Sequence, residues 1–130
     1  MREILFKAKT INGNWVNGLL ANKDDKWYIS NKAGMPFAYD VRPETLCQFT
    51  GLCDKNGIKI WENDILMAHF DESYPEDVTY ETVEWCTAGW VTHEAGSTDR
   101  EYLDEFDLEH FEVVGNIFDN PELLQEESDE

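Results

Sequence analysis

The sequence predicts a mainly β fold, on three observations. Short runs alternate along the chain, as in residues 2–9, where Ile4, Phe6 and Ala8 are interleaved with Leu5, Lys7 and Lys9 to give one fairly apolar face. Other runs are rich in β-branched and aromatic residues, among them Trp27-Tyr28-Ile29 and Ile65-Leu66-Met67. Turn chemistry separates the runs, most clearly Asn-Gly at 12–13 and 56–57, where glycine takes a positive φ without steric penalty.

In chain order, residues 2–9 form a first strand, and Asn12-Gly13 turns it back into the strand containing Trp15-Val16, so a β-hairpin is expected over residues 3–21. Polar residues 22–25 make the next turn, and residues 26–30 complete a three-stranded meander. Residues 31–40, with Gly34 and Pro36 and no sustained period, read as an irregular connection. Pro43 biases Arg42 away from helix. Turn signals are densest in residues 43–66, PETLCQFTGLCDKNGIKIWENDIL. Here Asp54-Lys55-Asn56-Gly57 predicts a tight turn with Gly57 at positive φ. Ile58, Ile60 and Trp61 then lead to a second turn at Glu62-Asn63-Asp64, after which residues 65–70 are a strand.

Residues 71–77 read as a polar loop. Residues 78–86 alternate without a cleanly apolar face, which predicts an aromatic-rich strand partly exposed at a sheet edge; Thr87-Ala88-Gly89 turns it back into residues 90–93. A loop at 94–99 precedes a short helix over 102–110, which runs into a strand over 111–117 with a bulge at Gly115. Asp119 or Asn120 caps a short C-terminal helix opened by Pro121, and residues 125–130 are an acidic tail.

With 130 residues, 42% of them hydrophobic and seventeen aromatic, the chain can bury a core. Its net charge of −18 is placed unevenly. Residues 1–70 hold nine Lys/Arg against eight Asp/Glu, whereas residues 71–130 hold Arg100 alone against twenty acids. Like-charge repulsion argues against an ordinary phosphate reader in the second half and favours a basic partner. No run of about eighteen apolar residues and no charged-then-apolar leader occurs, so the expectation is a cytoplasmic protein without a membrane span. Cys47, Cys53 and Cys86 fit no zinc spacing and read as buried or semi-buried free thiols.

No phosphate-cradling glycine loop, nucleophile elbow or metal-binding helix motif occurs. His69, His93 and His110 fall in separate predicted strands and read as exposed or satisfied histidines rather than metal ligands. Cys47 and Cys53 lack a basic neighbour that would activate a thiol. Among the many carboxylates only Asp54, Glu62 and Asp64 occupy defined turn positions, where hydrogen bonding to turn backbone explains them. Asp54, Asn56, Gly57, Glu62, Asn63 and Asp64 are therefore read as structural turn residues. Trp15, Trp27, Trp61, Trp85 and Trp90 read as core and edge packing. Two surfaces remain candidates for interaction. One is the aromatic edge of Tyr80, Trp85 and Trp90; the other is the row Glu105, Asp107 and Glu109, which along a strand would project from one face at intervals of about 6.6 Å.

Several segments also carry a family resemblance. These are Ile4-Leu5-Phe6-Lys7-Ala8 with Asn14-Trp15-Val16-Asn17-Gly18, then Pro43-Glu44-Thr45, Gln48-Phe49-Thr50-Gly51-Leu52, Asp54-Lys55-Asn56-Gly57 and Glu62-Asn63-Asp64-Ile65, and finally Val114-Gly115-Asn116-Ile117 with Asn120-Pro121-Glu122-Leu123-Leu124. They resemble the opening, middle and closing segments of the YopX-like family of bacteriophage and prophage proteins. Cys47 stands where that family commonly has Gly, and Asn63 stands where its E-G-D turn has Gly, although Asn tolerates positive φ. The resemblance implies an N-terminal β meander lobe over 1–42, an SH3-like small β-barrel over 43–124 and the tail at 125–130. It brings no established biochemical activity and no catalytic, cofactor or metal residue. The expectation is a phage or prophage accessory protein of the bacterial cytoplasm that acts as a non-enzymatic protein-interaction module on a host or phage protein. That expectation needs no cofactor, direct nucleic-acid contact or membrane, and it is compatible with a homo-oligomer. The alternatives are an acidic DNA mimic that blocks a host DNA-binding protein and a small hydrolase or nuclease that holds Mg²⁺ or Mn²⁺.

Overall fold

The computed structural model describes residues 5–30, 38–69 and 78–124. The start of the first expected strand, the Gly34 to Pro36 connection, the 71–77 loop and the 125–130 tail lie outside the described residues. The chain divides into two compact units, Met1–Gly51 and Leu52–Glu130.

The first unit holds β1 (Phe6–Lys9), β2 (Trp15–Lys23), β3 (Lys26–Ser30), β4 (Tyr39–Asp40) and most of β5 (Cys47–Cys53), in the sheet order β4-β3-β2-β1-β5. Sequence-adjacent strands pair antiparallel because their connections are tight. Between β1 and β2, the Gly13 N–H donates to Thr10 C=O and the Thr10 N–H to Asn14 C=O, a three-residue loop with Gly13 at φ +85°. Between β2 and β3, Asp24 and Asp25 both take positive φ, 54° and 65°, the signature of a type I′ turn whose twist matches the strands. Ala8, Ile29 and Val41 form the buried core, with Phe6, Val16, Leu20, Trp27 and Leu46 packed against it. The connection expected to be irregular through Asp40 ends instead as β4. Tyr39 and Asp40 pair with Ile29 and Tyr28, and the Val41 N–H donates to Trp27 C=O as its side chain enters the core. Arg42 is extended before Pro43, as the proline requires, and Pro43–Thr45 make one 3₁₀ turn. Thr45 fastens that turn: its Oγ1 accepts the Lys9 N–H at 2.8 Å and donates to Arg42 C=O at 2.7 Å.

The second unit opens where β5 ends and pairs with β6 (Lys59–Trp61). Its main sheet contains β7 (Asp64–Ala68), β8 (Thr79–Cys86), β9 (Gly89–Glu94), β10 (Arg100–Tyr102) and β11 (Phe111–Asn116), all antiparallel in the order β10-β9-β8-β7-β11. Ile60, Leu66, Ala68, Val83, Trp90 and Phe111 are its core, with Leu103, Leu108 and Val113 packed against them. Register shifts between Val113 and Gly115, the expected bulge. No helix among the described residues is long and apolar enough to cross a membrane.

Three expectations need correction. The SH3-like barrel is not closed: among the described residues β10 and β11 end the five-stranded sheet without pairing to each other. β8 is interior, between β7 and β9, not an edge strand; its mixed faces arise because Glu81 is buried beside Val83 while Trp85 at the strand's end is 54% exposed. The second turn lies at Glu62-Asn63, as expected. The Asp64 carboxylate accepts the Trp61 N–H at 2.8 Å, while the Asn63 N–H donates to Val83 C=O, so the chain passes into the other sheet. The expected helices are single short 3₁₀ segments, Glu105–His110 and Pro121–Leu124, and Tyr102 belongs to β10 rather than to the first of them.

Candidate functional site

Antiparallel register places residues directly opposite one another on the same face of the sheet. Glu81 of β8 lies opposite Glu94 of β9, and Glu101 of β10 lies opposite Thr92, which lies opposite Val83. These side chains therefore share the face that carries the core. At one end of that face they wall a cavity of about 300 Å³, lined by Glu81, Glu94, Asp99 and Glu101 together with Thr79 and Thr92. Glu81 is only 9% exposed. Burial raises the pKa of its carboxyl, and the neighbouring Glu94 and Glu101 charges push in the same direction, while hydrogen bonds from Thr92 and Thr79 oppose them.

Arg100, the only Lys or Arg of residues 71–130, does not neutralise this wall. It alternates to the opposite face of β10, where its Nε donates to Glu84 Oε2 at 2.9 Å; Glu84 Oε1 also lies 3.6 Å from His93 Nδ1. The His93 Nε2 is paired with Ser97 C=O. The sheet is thus acidic on its core face at this end and charge-compensated on its reverse. The cavity offers carboxylates and hydroxyls to a cationic group such as a lysine ammonium or arginine guanidinium.

The turn residues form a separate, structural constellation. Asp54, 6% exposed, accepts the Asn56 and Ile58 N–H groups through Oδ1 at 2.8 and 2.9 Å and the Val113 N–H through Oδ2 at 2.9 Å. It closes its own turn and ties that turn to β11. Asn56 reaches Glu112 at 3.3 Å, and Gly57 and Asn63 take φ values of +79° and +69°. Glu62 is half-buried beside Asn63.

The structure does not bring the candidate interaction residues together. Trp90 is 8% exposed and belongs to the core, its ring centroid 4.9 Å from that of Trp85 in an edge-to-face contact. Tyr80 and Trp85 alternate to opposite faces of β8, so no continuous aromatic edge forms. Glu105, Asp107 and Glu109 are not a strand row, because their backbone is a 3₁₀ segment in which alternate residues diverge around the axis; the Asp107 side chain lies outside the described residues. Glu105 and Glu109 are exposed. Of the three histidines expected in strands only His93 is in one, β9; His69 follows β7 and His110 ends the 3₁₀ segment before β11, where the His69 N–H donates to His110 C=O. Among the described residues no three His, Cys, Asp or Glu side chains are grouped to hold a metal ion. Cys47 is buried and Cys86 half-buried, whereas Cys53, expected to be at least partly buried, is exposed; none of the three forms a disulfide. Sequence reasoning missed the Glu81 cavity; the signal present was a glutamate in phase with Val83 on an alternating strand.

Comparison with known proteins gives three findings. A family model described as YopX protein matches residues 6–125. No curated protein matches the chain. The crystal structure of protein EF1440 from Enterococcus faecalis is similar with a TM-score of 0.63 and 20% sequence identity, covering 96% of this chain and all of that one, which is a likeness of fold.

Proposed function

The chain belongs to the YopX protein family, and from that premise we propose that it is a non-enzymatic interaction module that binds a basic protein. The observation that supports this reading is the acidic wall of Glu81, Glu94, Asp99 and Glu101 on one face of the five-stranded sheet, uncompensated among the described residues. A cationic side chain entering it would gain charge-assisted hydrogen bonds that the chain's own Arg100, committed to Glu84, does not supply. By this reading the protein is a phage or prophage accessory factor in the bacterial cytoplasm and its partner is a host or phage protein. The second unit, with its open five-stranded sheet, then serves as the interaction half, by analogy with SH3-like modules.

The test is capture of binding proteins by the immobilised full chain, followed by affinity measurements on the purified captured protein at about 50 and about 200 mM salt. A basic protein whose affinity falls with salt and falls again in the Glu94→Gln/Glu101→Gln variant is the expected result. Salt-independent binding untouched by that variant would sink the proposal. Displacement of the protein by duplex DNA would mark the acidic half as a DNA mimic, and metal-dependent cleavage of DNA by the chain itself would mark it as a nuclease.

A further inference from the structure

Strand β10 ends its sheet, and all three of its residues are exposed. The Leu103 N–H donates to Trp90 C=O at 2.9 Å, which fixes the phase of the ladder: with Tyr102 opposite Val91 and Glu101 opposite Thr92, the N–H and C=O of Leu103 and Glu101 face β9. The backbone groups of Arg100 and Tyr102 therefore face outward, and among the described residues no strand pairs with that edge. Side-chain direction alternates with the same period. Glu101 points to the face of the acidic cavity, whereas Arg100 and Tyr102, the latter 60% exposed, point to the other.

We propose that β10 is a docking edge for an extended segment of a partner protein that carries Lys or Arg at every second position, added as a further strand. The basic side chains of such a segment reach the face of Glu101, Asp99, Glu94 and Glu81, and the residues between them lie against the Tyr102 ring on the reverse. Main-chain hydrogen bonds hold the segment, and alternate side chains select it. Charge argues for this occupant: the second unit carries three Lys/Arg against twenty-three Asp/Glu. A second copy of the chain is a poorer fit, because its own segment of this pattern, Phe6-Lys7-Ala8-Lys9, is β1 and is paired on both sides by β2 and β5.

This inference rests on the basic-partner reading, and two peptides separate the fates of the two. One alternates Lys and Thr; the other has the same composition in Lys-Lys-Thr-Thr blocks. The full chain should bind the alternating peptide about tenfold more tightly at low salt, the equivalent of two or three net backbone hydrogen bonds. The amides of Arg100 and Tyr102 should shift and exchange more slowly in the complex. Tyr102→Pro removes an outward N–H while sparing the bonds to β9, so it should abolish the preference and leave weak, salt-dependent binding of both peptides. Should that variant unfold, amide exchange in the unaltered chain decides the matter alone. Equal affinity for both peptides, with no protection at Arg100 and Tyr102, overturns edge pairing while leaving the basic-partner reading in place. Failure to bind either peptide at low salt overturns both.

Discussion

Gly57 and Gly115 are both required, for different physical reasons that substitution separates. A Cβ at Gly57 would meet nothing within 4 Å, so the cost of a side chain there is the φ of +79° alone. Gly57→Val should destabilise by about 1–3 kcal/mol and Gly57→Asn by much less, read from urea denaturation. At Gly115 the obstacle is contact: a Cβ would lie 2.4 Å from Asn120 Oδ1 and 2.6 Å from its Cγ, and that Oδ1 accepts the Asn116 N–H. Gly115→Ala should cost about 1–3 kcal/mol by the same measurement, and Asn120→Ala should relieve part of it. Glu81 makes a prediction of opposite sign. Its carboxyl is held above the usual carboxylate range by burial, then by Glu94 and Glu101, so the folded state binds the proton more tightly than the unfolded chain does. The stability this contributes is present below the ordinary carboxylate value and is lost as pH rises through the folded value. Glu81→Gln should therefore raise the melting temperature at pH 7 and shrink the gain seen on acidification; an unchanged pH profile would contradict the assignment. Gly57 and Asn63 were legible in the sequence because positive φ is a property of a residue and its neighbours. The burial of Glu81 was not, since it depends on which residues of β9 and β10 stand opposite.

The Asp24-Asp25 turn shows how far an element can be read and then improved. Polar residues 22–25 mark a turn, but only the backbone shows that both central residues sit at positive φ, 54° and 65°, conformations that Asn-Gly adopts more readily. Asp24→Asn with Asp25→Gly should stabilise the β2–β3 hairpin by about 0.5–1 kcal/mol, measured by thermal melting, provided the register Lys23↔Lys26 is kept. The first meander, the Asp54 turn and the Gly115 bulge were all legible, because each is specified by residues close in sequence. Less local features escaped. β8 reads as an edge strand because Glu81 and Trp85 interrupt its apolar face, and its interior position follows from pairing with both β7 and β9. Tyr102 joins β10 through pairing with Val91, a partner that no local pattern reveals.

At the scale of the molecule, the charge asymmetry follows the division of the chain: Met1–Gly51 carries seven Lys/Arg against five Asp/Glu, and Leu52–Glu130, with three against twenty-three, carries the whole excess of acid. Self-repulsion in the second unit should make the protein more stable in salt. Raising sodium chloride from about 50 to about 500 mM should lift the melting temperature by a few degrees, and a flat or falling response would show the charges to be adequately spaced already. Mainly β architecture was readable at this scale, but closure was not: whether five strands form a barrel depends on their tilt and stagger, which no run of residues encodes. The Asp54 carboxylate also has a kinetic meaning. Its bond to the Val113 N–H joins positions 59 residues apart, whereas its bonds to Asn56 and Ile58 are local. The local pair can form as soon as the hairpin does, but the distant bond must wait until the intervening chain has been ordered. One side chain thus takes part in an early and a late event. Asp54→Asn keeps the shape but removes the charge and leaves one acceptor oxygen where there were two, and in stopped-flow chevrons it should accelerate unfolding more than it slows folding; the reverse would place the clasp between turn and last strand inside the folding nucleus.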